Sequence, residues 1–209
     1  DWLDERINTL YENGIYTILA TPSAARPAWL AQKYPEVRRV RGDRVRELYN
    51  RRQNHCYTSP LYREKVTQID TLLAEHYANH PAVAAWQVDN EFGDHKTLYC
   101  YCESCRKKFI VWLKKKYGSL DALNKAWGTV FWSQTYTDWD QIIVPKRSQA
   151  GKPGNNGHNP ALNLDYSRFQ SDAIADYCAL QCRIIRRWSK APITHNVVSE
   201  LYDYYKLGE

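Results

Sequence analysis

The stretch Val83-Ala84-Ala85-Trp86-Gln87-Val88-Asp89-Asn90-Glu91 is an apolar run closed by a polar tip. Its short length, introduced by Pro81, predicts a buried strand. A carboxylate at the end of such a strand stands where a (β/α) barrel performs its chemistry. Nine residues after Glu91 comes Cys100-Tyr101-Cys102-Glu103-Ser104-Cys105. A C-x-C-x-x-C cluster is a pattern by which a metal ion pins a loop. The chain is therefore read as a strand-end carboxylate beside a metal-held loop.

On either side of this stretch, the elements are marked by local signals. Leu3, Ile7 and Leu10 share one face of a short helix that stops near Asn13-Gly14. Ile15-Tyr16-Thr17-Ile18-Leu19-Ala20 reads as a strand ended by Thr21-Pro22. Residues 22 to 58 have weak periodicity and predict a long loop carrying a short helix. Ser59-Pro60 caps and starts the next helix, whose apolar face is Val66, Ile69, Leu72 and Leu73, through about Tyr77. Beyond the cysteines, Phe109 to Tyr117 and Leu120 to Trp127 predict two short helices split by Gly118-Ser119. The run Gly151-Lys152-Pro153-Gly154-Asn155-Asn156-Gly157 has the composition of a flexible loop. A long helix comes next, with Ile174, Tyr177, Leu180, Gln181, Ile184 and Trp188 near one face. Pro192 breaks it, and residues 193 to 198 read as a third strand.

Strands separated by helices predict an α/β fold with parallel pairing and right-handed crossovers, the sheet buried on both faces. A doubly wound sheet and a (β/α)8 barrel both satisfy that order. No Gly-rich phosphate loop follows any of the strands, which weakens the nucleotide-binding version. Polar residues gather after strand ends, as barrel enzymes require. A full barrel needs eight strands in about 250 residues, so three strands are well under half of one.

At 209 residues, 44% apolar and 13% aromatic, the chain can bury a core. It contains no methionine, so it is expected to be processed or cut from something longer. No apolar run approaches the ~18 residues of a membrane span, and no membrane association is expected. Much of the net charge of +6 sits in residues 38 to 52 and 106 to 116. The second run is interleaved with Phe109, Trp112 and Leu113 at helical spacing, as on a solvated face. No nucleic-acid motif accompanies it, and no nucleic-acid partner is expected. The close spacing of Cys100, Cys102 and Cys105 suits metal ligation better than disulfides, and with it a reducing, cytoplasmic compartment.

The polar tip has two readings. Asp89-Asn90-Glu91 can simply turn the chain and cap the next segment. It can also be chemical: retaining glycoside hydrolysis needs two carboxyl groups about 5–5.5 Å apart, one nucleophile and one acid/base. Glu91 suits the acid/base role, on a rigid strand end where desolvation and a second carboxylate raise its pKa. Asn90 beside it can hold a sugar hydroxyl. A closed structural zinc site takes four ligands. Cys100, Cys102 and Cys105 supply three, and Cys56, Cys178, Cys182 or a histidine is the fourth. Cys178 and Cys182, four apart on the long helix, read as small buried thiols.

The wider pattern resembles the family 42 β-galactosidases of glycoside hydrolase clan A. The resemblance is carried by Trp86 through Gly93, Thr21-Pro22-Ser23-Ala24, Pro27-Ala28-Trp29-Leu30, Arg51 through Cys56 and Ser59 through Arg63. It continues through Leu120 to Thr129, Phe131-Trp132-Ser133-Gln134 and Thr194-His195-Asn196, and so spans nearly the whole chain. It implies that residues 1–209 are an incomplete TIM-barrel catalytic domain, about strands 3 to 5 with their helices and a zinc-pinned loop insertion. Glu91 is then the acid/base, Asn90 bonds the galactose 2-hydroxyl, and Arg52 and Trp132 bind substrate. Cys56, in the Arg-x-x-x-Cys context of Arg52 to Cys56, completes a Zn2+ site with Cys100, Cys102 and Cys105.

The family's nucleophile is a second Glu at the end of the seventh strand, outside this chain. Glu200 follows the third strand here and is not assigned that role. The expected activity is hydrolysis of terminal β-D-galactosides or galacto-oligosaccharides by the whole enzyme, the 209 residues alone being inactive. A homotrimer is implied for the full-length protein. Two alternatives stand: a clan A glycosidase for another β-linked sugar, and a non-catalytic zinc-stabilised scaffold module that binds carbohydrate or another subunit.

Overall fold

Helix and strand boundaries follow local chemistry closely in this computed structural model, which describes residues 2–49, 52–93, 99–145, 158–198 and 202–208. The first helix, α1 (Trp2–Glu12), buries Ile7 and is followed by Gly14 at φ 76°. Strand β1 (Thr17–Ala20) comes next, then a 3-10 turn at Pro22–Ala24 and helix α2 (Ala28–Lys33). Helix α3 (Pro60–Tyr77) starts as expected, with Pro60 in its first turn and the Ser59 hydroxyl accepting from the Tyr62 amide. Strand β2 (Val83–Gln87) leads to helices α4 (Glu103–Tyr117) and α5 (Leu120–Trp127). Ser119 caps α5, and Gly128 ends it in the left-handed conformation. Helix α6 (Pro160–Arg186), strand β3 (Ile193–Thr194) and helix α7 (Tyr204–Gly208) complete the order.

The fold is α/β. Its three strands are parallel in the order β1-β2-β3, with Ile18 opposite Ala85, Ala20 opposite Gln87 and Gln87 opposite Thr194. Backbone pairing runs past the strand ends, from Thr21 N–H to Gln87 O at 2.9 Å and from Val88 N–H to Thr194 O at 2.9 Å.

The expectation of a sheet buried on both faces is corrected. Leu19 and Trp86 point into a core with Ile7, Val66, Ala74, Tyr77, Ile174, Tyr177 and Ile185, supplied by α1, α3 and α6. On the opposite face Ile18 is 59% exposed and Ala20 is exposed as well, and their partners Ala85 and Gln87 are only half-buried. Side chains alternate across a strand, and among the described residues the helices cover only one side. The strands are also shorter than the sequence suggests. Ile15 and Tyr16 precede β1 and are exposed, and β3 ends at Thr194, beyond which the His195 ring bonds the Val88 carbonyl and the Asn196 side chain bonds Asn90.

Two further boundaries differ. Helix α4 begins at Glu103, directly out of the cysteine cluster, rather than at Phe109, because Cys102 occupies its N-cap. Trp188 lies beyond the end of α6 and is exposed, whereas Ile174, Tyr177, Gln181 and Ile184 are buried as the periodicity predicts. The Gly151–Gly157 loop and Glu200 lie outside the described residues. A second core packs α4, α5 and the first half of α6 around the thiols, with Phe109, Leu113, Leu123, Trp127, Leu162, Tyr166 and Phe169. No helix among the described residues is long and apolar enough to cross a membrane.

One buried group opposes the fold. Asp70 of α3 is 0% exposed, and neither carboxylate oxygen has a hydrogen-bond partner among the described residues. Burial, with the nearby Asp89 charge, pushes its pKa up to about 8. A native pKa above the unfolded value means the folded state holds more protons between them. Stability therefore falls as pH rises from about 4 to about 8. We expect Asp70→Asn to flatten that decline, so that its Tm gain over the parent is larger at pH 8 than at pH 5. An equal Tm difference at both pH values would show that Asp70 carries no such penalty.

Candidate active site and metal centre

At the end of β2 the backbone turns sharply through left-handed conformations, with φ 54° at Asp89, 45° at Glu91 and 78° at Gly93. L-residues adopt this region reluctantly, so side-chain bonds must hold it. The Asp89 carboxylate accepts from the Ser23 hydroxyl at 2.6 Å and the Asn90 amide at 2.7 Å. The Asp89 N–H donates to Thr21 Oγ1 at 2.7 Å. From beyond β3, Asn196 Nδ2 donates to Asn90 Oδ1 at 2.8 Å, while Asn196 Oδ1 accepts from the Glu91 N–H at 3.2 Å and from Gln87 Nε2 at 3.1 Å. His195 donates from Nδ1 to Val88 O at 2.7 Å and stacks on Phe92 with ring centroids 4.2 Å apart. Burial lowers the His195 pKa, in keeping with a neutral ring.

The loop between α2 and α3 closes over this turn. Gln53, fully buried at φ 57°, donates from Nε2 to the Glu91 carbonyl at 2.8 Å and also bonds the Asn90 carbonyl. Its neighbour Arg52 meets the Glu91 carboxylate, Nη2 to Oε2, at 3.0 Å, with the two side chains 53% and 31% exposed. Glu91 thus presents a carboxylate at an open strand end, flanked by a cation and a carboxamide. Among the described residues the charged group in contact with it is the Arg52 guanidinium. Asn90 Nδ2 is buried and has no hydrogen-bond partner among the described residues.

The structure therefore brings Glu91, Asn90 and Arg52 together. Trp132 makes no hydrogen bond or ring contact with them among the described residues. It sits on a 3-10 turn at Phe131–Ser133, is 75% exposed at φ 56°, and stacks on Phe131 at 4.8 Å. Asp89, Asn196, Thr21, Ser23 and Gln181 support the site, though the sequence reading names none of them as site residues. One signal was available: Gln181 lies on the apolar face of α6, and a buried amide there requires a polar partner.

The four thiols meet where α4 leaves the loop. Cys56, Cys100, Cys102 and Cys105 are all buried, and their sulfurs lie within 4.8 Å of one another. The Cys56–Cys102, Cys56–Cys105 and Cys102–Cys105 separations are 3.6, 3.5 and 3.7 Å. A tetrahedral ion with bonds of about 2.3 Å places its sulfurs about 3.8 Å apart, so this donor set fits a metal ion. Thr58 Oγ1 lies 3.1 Å from both Cys56 and Cys105, and the Val40 N–H reaches Cys100 Sγ at 3.4 Å. Burial pushes the Cys100 and Cys105 thiols up, while hydrogen bonds from the other thiols draw Cys102 down. A dication would favour all four as thiolates. The cluster takes Cys56 from the loop before α3. Cys178 and Cys182 lie elsewhere on α6, buried and half-buried.

A sequence profile for glycoside hydrolase family 42, described as beta-galactosidase, matches residues 1–209. A β-galactosidase of Planococcus is 46% identical over 209 residues, covering 99% of this chain and 30% of its own. One of Alicyclobacillus acidocaldarius is 48% identical over 197 residues, covering 94% and 27%. The crystal structure of a cold-adapted β-galactosidase from Rahnella superposes with a TM-score of 0.89 at 47% identity, over 99% of this chain and 30% of that one. That of the psychrophilic Marinomonas gives 0.92 at 36%, over 100% and 31%. The chain thus spans about 30% of the length of these relatives. With the profile matched from end to end and the Rahnella enzyme superposing over 99% of the residues, the chain belongs to glycoside hydrolase family 42.

Proposed function

We propose that residues 1–209 form about three strands and their helices of a (β/α)8 barrel whose whole chain hydrolyses terminal β-D-galactosides with retention. The open sheet face bearing Ile18 and Ala20 would then be barrel interior, filled by the remaining strands. The observation that carries the reading is the Glu91 carboxylate at the C-terminal end of β2, 3.0 Å from Arg52 and beside Asn90. In this mechanism Glu91 protonates the leaving-group oxygen and then takes a proton from the incoming water. Asn90 Nδ2, buried and unpartnered among the described residues, is free to donate to a sugar hydroxyl, with its carboxamide oriented by Asn196. Arg52 orients the Glu91 carboxylate and bonds substrate, and Trp132 contributes an apolar wall for the sugar. The nucleophile is a carboxylate outside these residues.

Zn2+ is the ion we assign to the four cysteines. Bound there it supplies structural cross-linking rather than chemistry, since four thiolates leave no position for water. The residues it joins, Cys56 four positions after Arg52 and Cys100 nine after Glu91, flank the two sides of the site.

The test compares kcat/KM of the full-length protein for aryl β-galactoside and aryl β-glucoside. A missing hydroxyl contact costs a polar site heavily, so we expect the galactoside to be preferred by at least about 100-fold. Preference for another β-linked sugar would move the reading to a different glycosidase. No turnover on any aryl glycoside would leave a zinc-stabilised binding module.

A further inference from the structure

The bonds that shape the turn before Glu91 converge on one buried carboxylate. Asp89 is 1% exposed and sits between four segments of the fold. Ser23, in the turn after β1, donates to its Oδ2, and the Asn90 N–H donates to its Oδ1. Thr21, at the end of β1, accepts from the Asp89 N–H. Behind these, Gln181 Oε1 from α6 lies 2.8 Å from both Thr21 Oγ1 and Ser23 Oγ. From α3, the Tyr62 hydroxyl donates to the Ser23 carbonyl at 2.5 Å. The Ser23 proton can serve Asp89 while Thr21 donates to Gln181, so each hydroxyl has one acceptor.

We propose that Asp89 is the positioning residue for proton transfer by Glu91, an inference that rests on Glu91 being the acid/base. Its carboxylate holds residues 89 to 91 in the left-handed turn that directs Glu91 toward Arg52 and brings Asn90 Oδ1 to Asn196. Both non-glycine residues at positive φ would otherwise relax toward extended backbone. Such relaxation carries the Glu91 carboxylate away from the leaving-group oxygen, and proton transfer is steeply sensitive to that distance. Burial pushes the Asp89 pKa up to about 6, against which the Ser23 and Asn90 donors hold it down. At neutral pH it is therefore an anion secured by two hydrogen bonds.

A purely structural Asp89 would affect all substrates alike, whereas a positioning role is selective. Cleavage of a phenyl galactoside needs a proton on its leaving group, while a dinitrophenyl galactoside departs without one. In the full-length protein we expect Asp89→Ala to lower kcat/KM for the phenyl substrate by about 10- to 100-fold, and for the dinitrophenyl substrate by less than about threefold. Asp89→Asn should recover most of the loss, because its carboxamide can still accept from the Asn90 N–H and donate to Ser23 Oγ. Equal losses on both substrates, or an Asn variant as impaired as the Ala variant, would overturn the proposal. Should Asp89→Ala fail to fold, Ser23→Ala removes one tether from outside. It is expected to show the same selectivity in smaller measure, and wild-type behaviour would count against the proposal. Glu91→Ala, measured alongside, separates the two levels. If it shows no leaving-group selectivity, the acid/base reading fails and the role of Asp89 falls with it.

Discussion

Replacing Glu91 by alanine is expected to lower kcat/KM of the full-length protein for a phenyl β-galactoside by about 10²- to 10⁴-fold, the usual worth of a positioned general acid. The loss should shrink toward nothing as the leaving group becomes a better anion, because the proton is needed only where the departing oxygen cannot bear its charge. KM should change little, since the carboxylate acts on the bond being broken while Asn90 and Arg52 hold the sugar. The geometry behind this expectation is specific. Glu91 is fixed by backbone bonds from Gln53 and to Asn196, and its carboxylate by Arg52. An enzyme in which Glu91→Ala slowed every substrate equally, or none, would require another residue as the acid.

The second large effect concerns stability. Cys105→Ser is expected to abolish metal binding, measured as loss of about one zinc per chain by elemental analysis, and to lower Tm by about 10 °C or more. Structural zinc is worth about 10–16 kcal/mol in small finger peptides. Even about a third of that, at about 2–4 °C per kcal/mol for a domain of this size, gives a drop of this order. Cys105 has 0% exposure and its sulfur lies 3.5 and 3.7 Å from Cys56 and Cys102, inside the second core. Chelator treatment of the parent should reproduce the shift, while Cys178→Ser should leave metal content unchanged. Metal-free protein that melts like the variant, with no response to chelator, would exclude a structural metal at the cluster.

Much of this site is legible in the sequence. An apolar run with a polar tip identifies β2 and its end, and Ser59-Pro60 marks the start of α3. The apolar spacing of α6 predicts which of its residues face inward, apart from Trp188 beyond its end. These features depend on neighbours within a few residues along the chain, where periodicity and capping chemistry act. The spacing of Cys100, Cys102 and Cys105 announces a metal cluster for the same reason, since ligands from one loop reach one ion.

Features that are silent in the sequence depend on contacts between distant segments. Nothing local marks β3 as ending at Thr194, because its successors His195 and Asn196 leave the sheet to bond Val88 and Asn90, about a hundred positions earlier. Nor does sequence show that the helices cover one face of the sheet, leaving Ile18 exposed on the other. The fourth thiol is a related case: Cys56, Cys178 and Cys182 are equal candidates on residue type, and resemblance alone favours Cys56. Folding brings Cys56 to the cluster and holds Cys178 on another helix.

The amino-acid sequence by itself determined the order of the main elements, the inward face of α6, the family resemblance and the chemical types available at the strand end, whereas Ile69 and Leu72, expected on the inward face of α3, are exposed. Tertiary structure alone decided that Arg52 meets Glu91, that Trp132 is exposed and stacked on Phe131, and that Asp89, Ser23 and Gln181 form the support behind the site. The physical reason is range. Propensity and periodicity act over single turns of chain, whereas a buried carboxylate finds its donors wherever packing excludes water, regardless of their distance in sequence.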